Sequence, residues 1–318
     1  MMINSLHLKK DSYDPFIDFL KGVCIIFVLL NHCFPVKLQN LTFFAFWGGQ
    51  AIPIFILIQV FHAYKRGFDQ VKFNLKKLWN RIIAPFLYVE GLIIFVKITE
   101  LYITNGGVKD FLGTIFYGGG RGPGSYYPWL YSQFAIILPI MAIVFRKFDK
   151  KQLLLIFVVA SQSFEILSCI IDMPDWPYYS LLFIRYTFLI YLGYLLVVGI
   201  ELDAVNIIIS VISVGVMGIF AFSHFDMLPL FKTNTMWKIC QWPCYMSVFL
   251  LIGVIRSIRD KCHDKWALYI EKIGRLSYEI FLFQLFYYVL VSGKVKILLS
   301  VLNNKFIEVS DVNKNMNI

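Results

Sequence analysis

The sequence predicts an all-α fold: a polytopic integral-membrane helical bundle of about nine to ten spans with a cytoplasmic N-terminus. Three observations carry this reading. Of 318 residues, 58% are hydrophobic and only 16% are charged, with a mean hydropathy of +0.68. A soluble domain is about 45–50% apolar and about 25% charged. Apolar segments near the length that crosses a bilayer recur at 16–35, 42–62, 82–100, 128–145, 152–171, 178–198, 205–222, 241–257 and 273–292. Basic residues crowd alternate connections, as the positive-inside rule requires. The whole chain, 1–318, reads as one membrane domain, with no room for a separate soluble domain.

The first span holds the most informative stretch, Asp18-Phe-Leu-Lys21-Gly22 followed by an apolar run to Asn31-His32. An α-helix turns about 100° and rises about 1.5 Å per residue, so Lys21 and His32 lie within roughly 20° of one face and about 16 Å apart in depth. Asp18 sits one turn before Lys21. Charge inside a membrane costs at least about 2.5–3.5 kcal/mol per group, so such a stripe faces protein rather than lipid. The plainer alternative is that Asp18 and Lys21 mark one membrane interface and His32 the other. The run is too long for a signal peptide, and no small-residue cleavage site follows.

The connection after the second span carries Lys65, Arg66, Lys72, Lys76 and Lys77, with Arg81 opening the third span. Arg146, Lys147, Lys150 and Lys151 follow the fourth, and Arg256, Arg259, Lys261 and Lys265 the eighth. Intervening connections are poor in positive charge, which makes the net charge of +10 topogenic rather than a nucleic-acid patch. The glycine-rich stretch 106–124 lacks the Gly-Lys-Ser/Thr ending of a phosphate loop and reads as a flexible outer loop. Residues 295–302 supply only a short apolar run for a tenth span. Cys24, Cys33, Cys169, Cys240, Cys244 and Cys262 show no metal-ligand spacing and read as small core residues.

Five stretches in order carry a resemblance. Asp18-x-Leu20-Lys21-Gly22 with His32 resembles the first helix of the acyltransferase type 3 family, a group of integral-membrane acyltransferases. Ala51-Ile-Pro53-Ile-Phe55 is similar to the family's Val-Pro-Phe-Phe stretch, although Gln59-Val60 stands where the family has Ser-Gly. Arg81-Ile-Ile-Ala-Pro85-Phe86 resembles its Arg-Leu-Leu-x-Pro-Tyr, and Pro128-Trp129-Leu130-Tyr131 its Leu-Trp-Phe-Leu. Ile273-Gly274-Arg275-Leu276-Ser277-Tyr278-Glu279-Ile280-Phe281-Leu282-Phe283-Gln284 is similar to Ile-Gly-x-x-Ser-x-x-Ile-Tyr-Leu-x-His, with Gln284 in place of the late histidine.

The resemblance implies movement of an acyl group from a cytoplasmic donor to an acceptor at or across the membrane. Lys21, Arg81 and Lys77 are then expected to hold the phosphates of an acyl-CoA, a co-substrate rather than a resident cofactor. His32 is the expected general base on an acceptor hydroxyl, oriented by Glu165 or Asp18. Arg185, Gln133 and Gln284 are candidates for stabilising the oxyanion, with Trp129 beside the substrate. Each has a structural alternative. Arg81 and Lys77 also suit topogenic anchors, Glu165 and Arg185 a mutual pair, and Trp129 the aromatic belt. His62, His224 and His263 receive no role.

The expected partners are membrane lipids, acyl-CoA and a glycan acceptor, lipid-linked in the leading reading; no nucleic acid and no metal are expected. The function expected is O-acetylation of a cell-surface or lipid-linked glycan from acetyl-CoA in a multi-pass protein of the inner membrane. The alternative is a non-catalytic transporter or sensor subunit of surface-glycan assembly. A transporter should show inverted repeats and broken helices, and none is visible in the sequence.

Overall fold

The computed structural model describes residues 14–34, 38–39, 42, 44–104, 124–173, 179–199, 204–222 and 241–288. The glycine-rich segment 105–123 and the apolar run 295–302 lie outside these residues. Among the described residues there are helices and no strand. Six helices among the described residues are long and apolar enough to cross a membrane: Pro15–Cys33, Phe46–Tyr64, Leu75–Val96, Tyr127–Lys147, Lys150–Ile170 and Trp242–Lys261. The chain is a polytopic helical membrane bundle.

Helix α1 (Pro15–Cys33) starts where Asp14 accepts a hydrogen bond from the Phe16 N–H at 3.0 Å, with proline at the first helical position. The Gly-Gly pair at 48–49 interrupts the second span, leaving short α2 (Phe44–Gly48) and α3 (Ala51–Tyr64). The third span is interrupted too. Short α4 (Leu75–Leu78) passes through a π turn over Trp79–Ile83 into α5 (Ala84–Thr104). Pro85 explains the turn: its ring clashes with the carbonyl four residues back, that of Arg81, and it offers no N–H. The Ala84 N–H accordingly bonds to Trp79 O, five residues back.

Helices α6 (Tyr127–Lys147), α7 (Lys150–Ile170) and α9 (Ala204–Phe222) turn apolar faces outward, as lipid contact requires. Ile136, Ile140, Leu155, Val159 and Ile212 are all exposed. Helix α8 (Thr187–Val198) is buried on nearly every side and forms the centre of the bundle with α1, α3 and α10 (Ser247–Lys261). It approaches α3 at Gly193, where a Cβ would overlap the Val60 side chain.

Two expected boundaries differ. The sixth span, expected as one helix from 178, is broken: helical residues 179–181 give way at Leu182 to a 3-10 turn over Phe183–Tyr186 before the helix from Thr187. Gln133 of α6 is the reason: its amide donates to Leu181 O at 2.9 Å and accepts from the Phe183 N–H at 3.1 Å, taking backbone groups a helix would use. The other difference lies after α10. The expected basic connection and the start of the ninth span form an amphipathic helix, α11 (Asp264–Arg275), followed by α12 (Ser277–Phe286). Ala267, Glu271 and Gly274 are its buried face, while Trp266, Leu268 and Tyr269 are exposed. It packs on α1 through two glycines. A Cβ on Gly22 would overlap the Ile270 carbonyl, and one on Gly274 the Asp18 carbonyl.

Candidate active site

The tight α1–α11 crossing fixes the inner third of α1 and leaves the adjacent face, about a quarter-turn round the helix, to a cavity of about 360 Å³. Lys21, Ile25, Val28 and His32 line that cavity at intervals of four, three and four residues, one helical stripe. Helix α3 runs the other way and contributes Ile52, Phe55, Gln59 and His62 at the same kind of spacing. Tyr127 and Tyr131 of α6, and Ser277, Tyr278 and Phe281 around α12, close the remaining sides. A single cavity therefore follows α1 from Lys21 to His32, about 16 Å of helix rise.

Its two ends differ chemically. At the first, Lys21 is ion-paired with Asp18, one turn earlier on the same helix. His62 stands on the wall there, within reach of the charges of Lys65, Lys21, Asp18 and Lys77. Arg81 acts electrostatically on the wall residue Tyr131, and its neighbour Ile82 lines the cavity. Tyr278 donates to the Ile82 carbonyl at 2.6 Å, tying α12 to the π turn that carries Arg81. This end is a concentration of positive charge.

At the second end, His32 packs edge-on against Tyr288, ring centroids 5.7 Å apart, and the Tyr288 hydroxyl lies 2.9 Å from Cys33 Sγ. Gly48 and Gly49 form the wall opposite. Gln284 of α12, one turn before Tyr288, is buried, 2% exposed, and like Tyr288 lies off the cavity wall. Neither its amide nitrogen nor its oxygen has a hydrogen-bond partner among the described residues.

A family model described as an acyltransferase domain matches residues 14–308, nearly the whole chain. The chain belongs to the acyltransferase type 3 family. Neither the curated proteins nor the solved structures contain a match to it. The five motif stretches of this membrane acyltransferase contribute to one assembly. Lys21 and His32 mark the cavity ends, the stretch from Pro53 supplies the α3 wall, and Arg81 sits on the π turn. The Ile273–Gln284 stretch supplies both the glycine that seats α1 and the wall residues of α12.

Several expected site residues of the acyltransferase lie elsewhere. Asp18 does not orient His32. Fourteen residues, about 21 Å of helix, separate them, and its carboxylate serves Lys21. Glu165 does not orient it either. It belongs to a second polar cluster, where its two carboxylate oxygens accept from the Tyr179 hydroxyl at 3.0 and 2.8 Å. Arg185 completes that cluster, its guanidinium 4.6 Å from the Tyr179 ring centre and 5.0 Å from that of Tyr186, to whose hydroxyl it donates at 3.2 Å. None of these residues lines the cavity. Gln133 is committed to the backbone at 181–183, and Trp129 packs edge-on against Phe86 at 5.8 Å, also off the cavity wall. Lys77 and Arg81 are exposed beside the positive end rather than on the wall.

Sequence reasoning passed over His62. Its signal was present: Phe55, Gln59 and His62 repeat at four and three residues, the same stripe spacing as Lys21 to His32 on α1.

Proposed function

We propose that this acyltransferase moves an acetyl group from cytoplasmic acetyl-CoA to a hydroxyl of a lipid-linked or cell-surface glycan, from a place in the inner membrane. One observation carries the reading: a single cavity has Lys21 on its wall at one end, with Lys77 and Arg81 exposed beside that end, and His32 at the other. Lys21, with Lys77 and Arg81 behind it, suits the phosphates of the donor. From there the donor's pantetheine arm follows the α1 stripe and brings the thioester to His32. The separation of about 16 Å between the two ends matches an extended arm rather than a compact one.

At the His32 end the acceptor hydroxyl gives its proton to the imidazole as its oxygen attacks the thioester carbonyl. A carbon–oxygen bond forms and the carbonyl oxygen becomes an oxyanion. Gln284, expected to stabilise that charge, is buried behind this end and does not line the cavity in which the charge forms. Collapse breaks the carbon–sulfur bond, and the imidazolium returns the proton to the departing thiolate. His32 ends neutral, so the cycle closes without a resident cofactor.

The test follows radiolabelled acetyl from acetyl-CoA into surface glycans of the host. Wild type, a deletion strain and the deletion complemented with His32→Ala at matched membrane expression are compared. The reading expects label to fall in the deletion and to stay low with His32→Ala. Full labelling restored by His32→Ala would overturn the mechanism, and unchanged labelling in the deletion would overturn acetyl transfer to surface glycans.

A further inference from the structure

Gln59 is a polar side chain in the apolar middle of the cavity wall, 8% exposed. Its amide orientation is chemically fixed. The group facing it is the Tyr131 carbonyl, an acceptor only, so the Gln59 Nε2 donates to it at 3.0 Å. The other half of the amide, Oε1, is buried and has no hydrogen-bond partner among the described residues. A buried carbonyl oxygen held in place by its own nitrogen, on the wall of a ligand-sized cavity, is a prepared acceptor for a donor that arrives with the ligand.

The position of Gln59 says which donor. It lies three residues before His62, about 4.5 Å along the helix from the positive end. Beyond it toward His32 the wall is built from Ile25, Val28, Ile52 and Phe55. A ligand whose phosphate rests at the positive end therefore passes Gln59 before it meets apolar walls. In coenzyme A the donors after the phosphate all belong to the pantetheine arm: a hydroxyl on a short branched segment, then an amide N–H just beyond it. We infer that Gln59 is a binding residue for that arm, its Oε1 accepting from an arm amide N–H, so that the cavity distinguishes an amide-bearing thioester from other activated acyl groups. This rests on the donor reading above and adds the residue that reads the arm.

The experiment uses the full-length protein in lipid nanodiscs and measures equilibrium binding of two probes. One is coenzyme A. The other is its phosphorylated adenosine-diphosphate half, which lacks the arm. Gln59→Leu removes the acceptor, and Gln59→Met does so at equal side-chain length, so the pair guards against one variant failing to fold. Both variants should bind coenzyme A about tenfold more weakly, the size of one buried neutral hydrogen bond, and bind the nucleotide half as the wild type does.

Unchanged coenzyme A affinity in either folded variant would overturn the assignment and leave Gln59 a holder of cavity water. Equal weakening of both probes would overturn it as well, since a general disturbance of the cavity would be the cause. Failure of the wild type to bind either probe would remove the donor reading itself, a result separable from the other two because it does not involve the variants.

Discussion

Two groups of polar residues stand in this bundle on opposite plans, one buried and one running along the cavity from half-buried Lys21 to exposed His32. The Glu165–Tyr179–Arg185 cluster is closed. The carboxylate accepts from the phenol, the guanidinium lies over the phenol ring with its Nε making no hydrogen bond among the described residues, and the stacked rings of Tyr179 and Phe164, 5.8 Å apart, cover the group. The α1 stripe is open. Lys21 and His32 face about 360 Å³ of space, and Gln59 on the same wall carries a polar atom without a partner among the described residues. Both arrangements are costly in a membrane. The closed one offsets most of its cost internally, whereas the open one leaves its polar groups for something that enters. Polarity inside a membrane is thus a weak guide to chemistry until the partners of each group are counted.

The contrast is breakable at four places, the strongest first. Glu165→Ala removes one partner of a closed cluster and leaves Arg185 buried beside the gap. Breaking such a pair costs about 3–5 kcal/mol, so thermal unfolding in detergent should show a large fall in midpoint. Lys21→Met removes a cation from the open stripe. Loss of a charge-assisted hydrogen bond is worth about 1.5–3 kcal/mol, so the KM for acetyl-CoA should rise about 10- to 100-fold per folded molecule.

Gly274→Ala tests the scaffold that presents the stripe. The new methyl would meet the Asp18 carbonyl, and overpacking of this kind costs about 1–3 kcal/mol, seen as a lower unfolding midpoint. The smallest effect belongs to Tyr278→Phe. It deletes the 2.6 Å bond to the Ile82 carbonyl, worth about 1 kcal/mol, and should lower the midpoint slightly with little change in transfer rate.

Much of the open site was legible in the sequence because a helix carries its own geometry. The spacing of Lys21 and His32 determines their common face and depth whatever surrounds them, and the cavity runs along that face. What surrounds them was not legible. Glu165 lies on a different helix from His32, and the sequence does not say which helices are neighbours. Asp18 was matched to His32 although its nearer neighbour on the same helix is Lys21.

Helix α11 was read as a basic connection because averaging hydropathy over its length cancels its two faces. The pattern Ala267, Ile270, Gly274 was there to find. The 3-10 turn that carries Arg185 depends on Gln133 from a different helix, a long-range bond that local pattern does not reveal.

The central claim is that the open stripe reacts and the closed cluster only supports. The most direct measurement is the initial rate of acetyl transfer from radiolabelled acetyl-CoA in native membranes, per folded molecule, for His32→Ala and Glu165→Gln side by side. The account predicts a loss of about 100- to 10,000-fold for His32→Ala, the usual worth of a general base, and a rate near wild type for the folded fraction of Glu165→Gln. A near-normal rate in His32→Ala, or a comparable loss in well-folded Glu165→Gln, would contradict it.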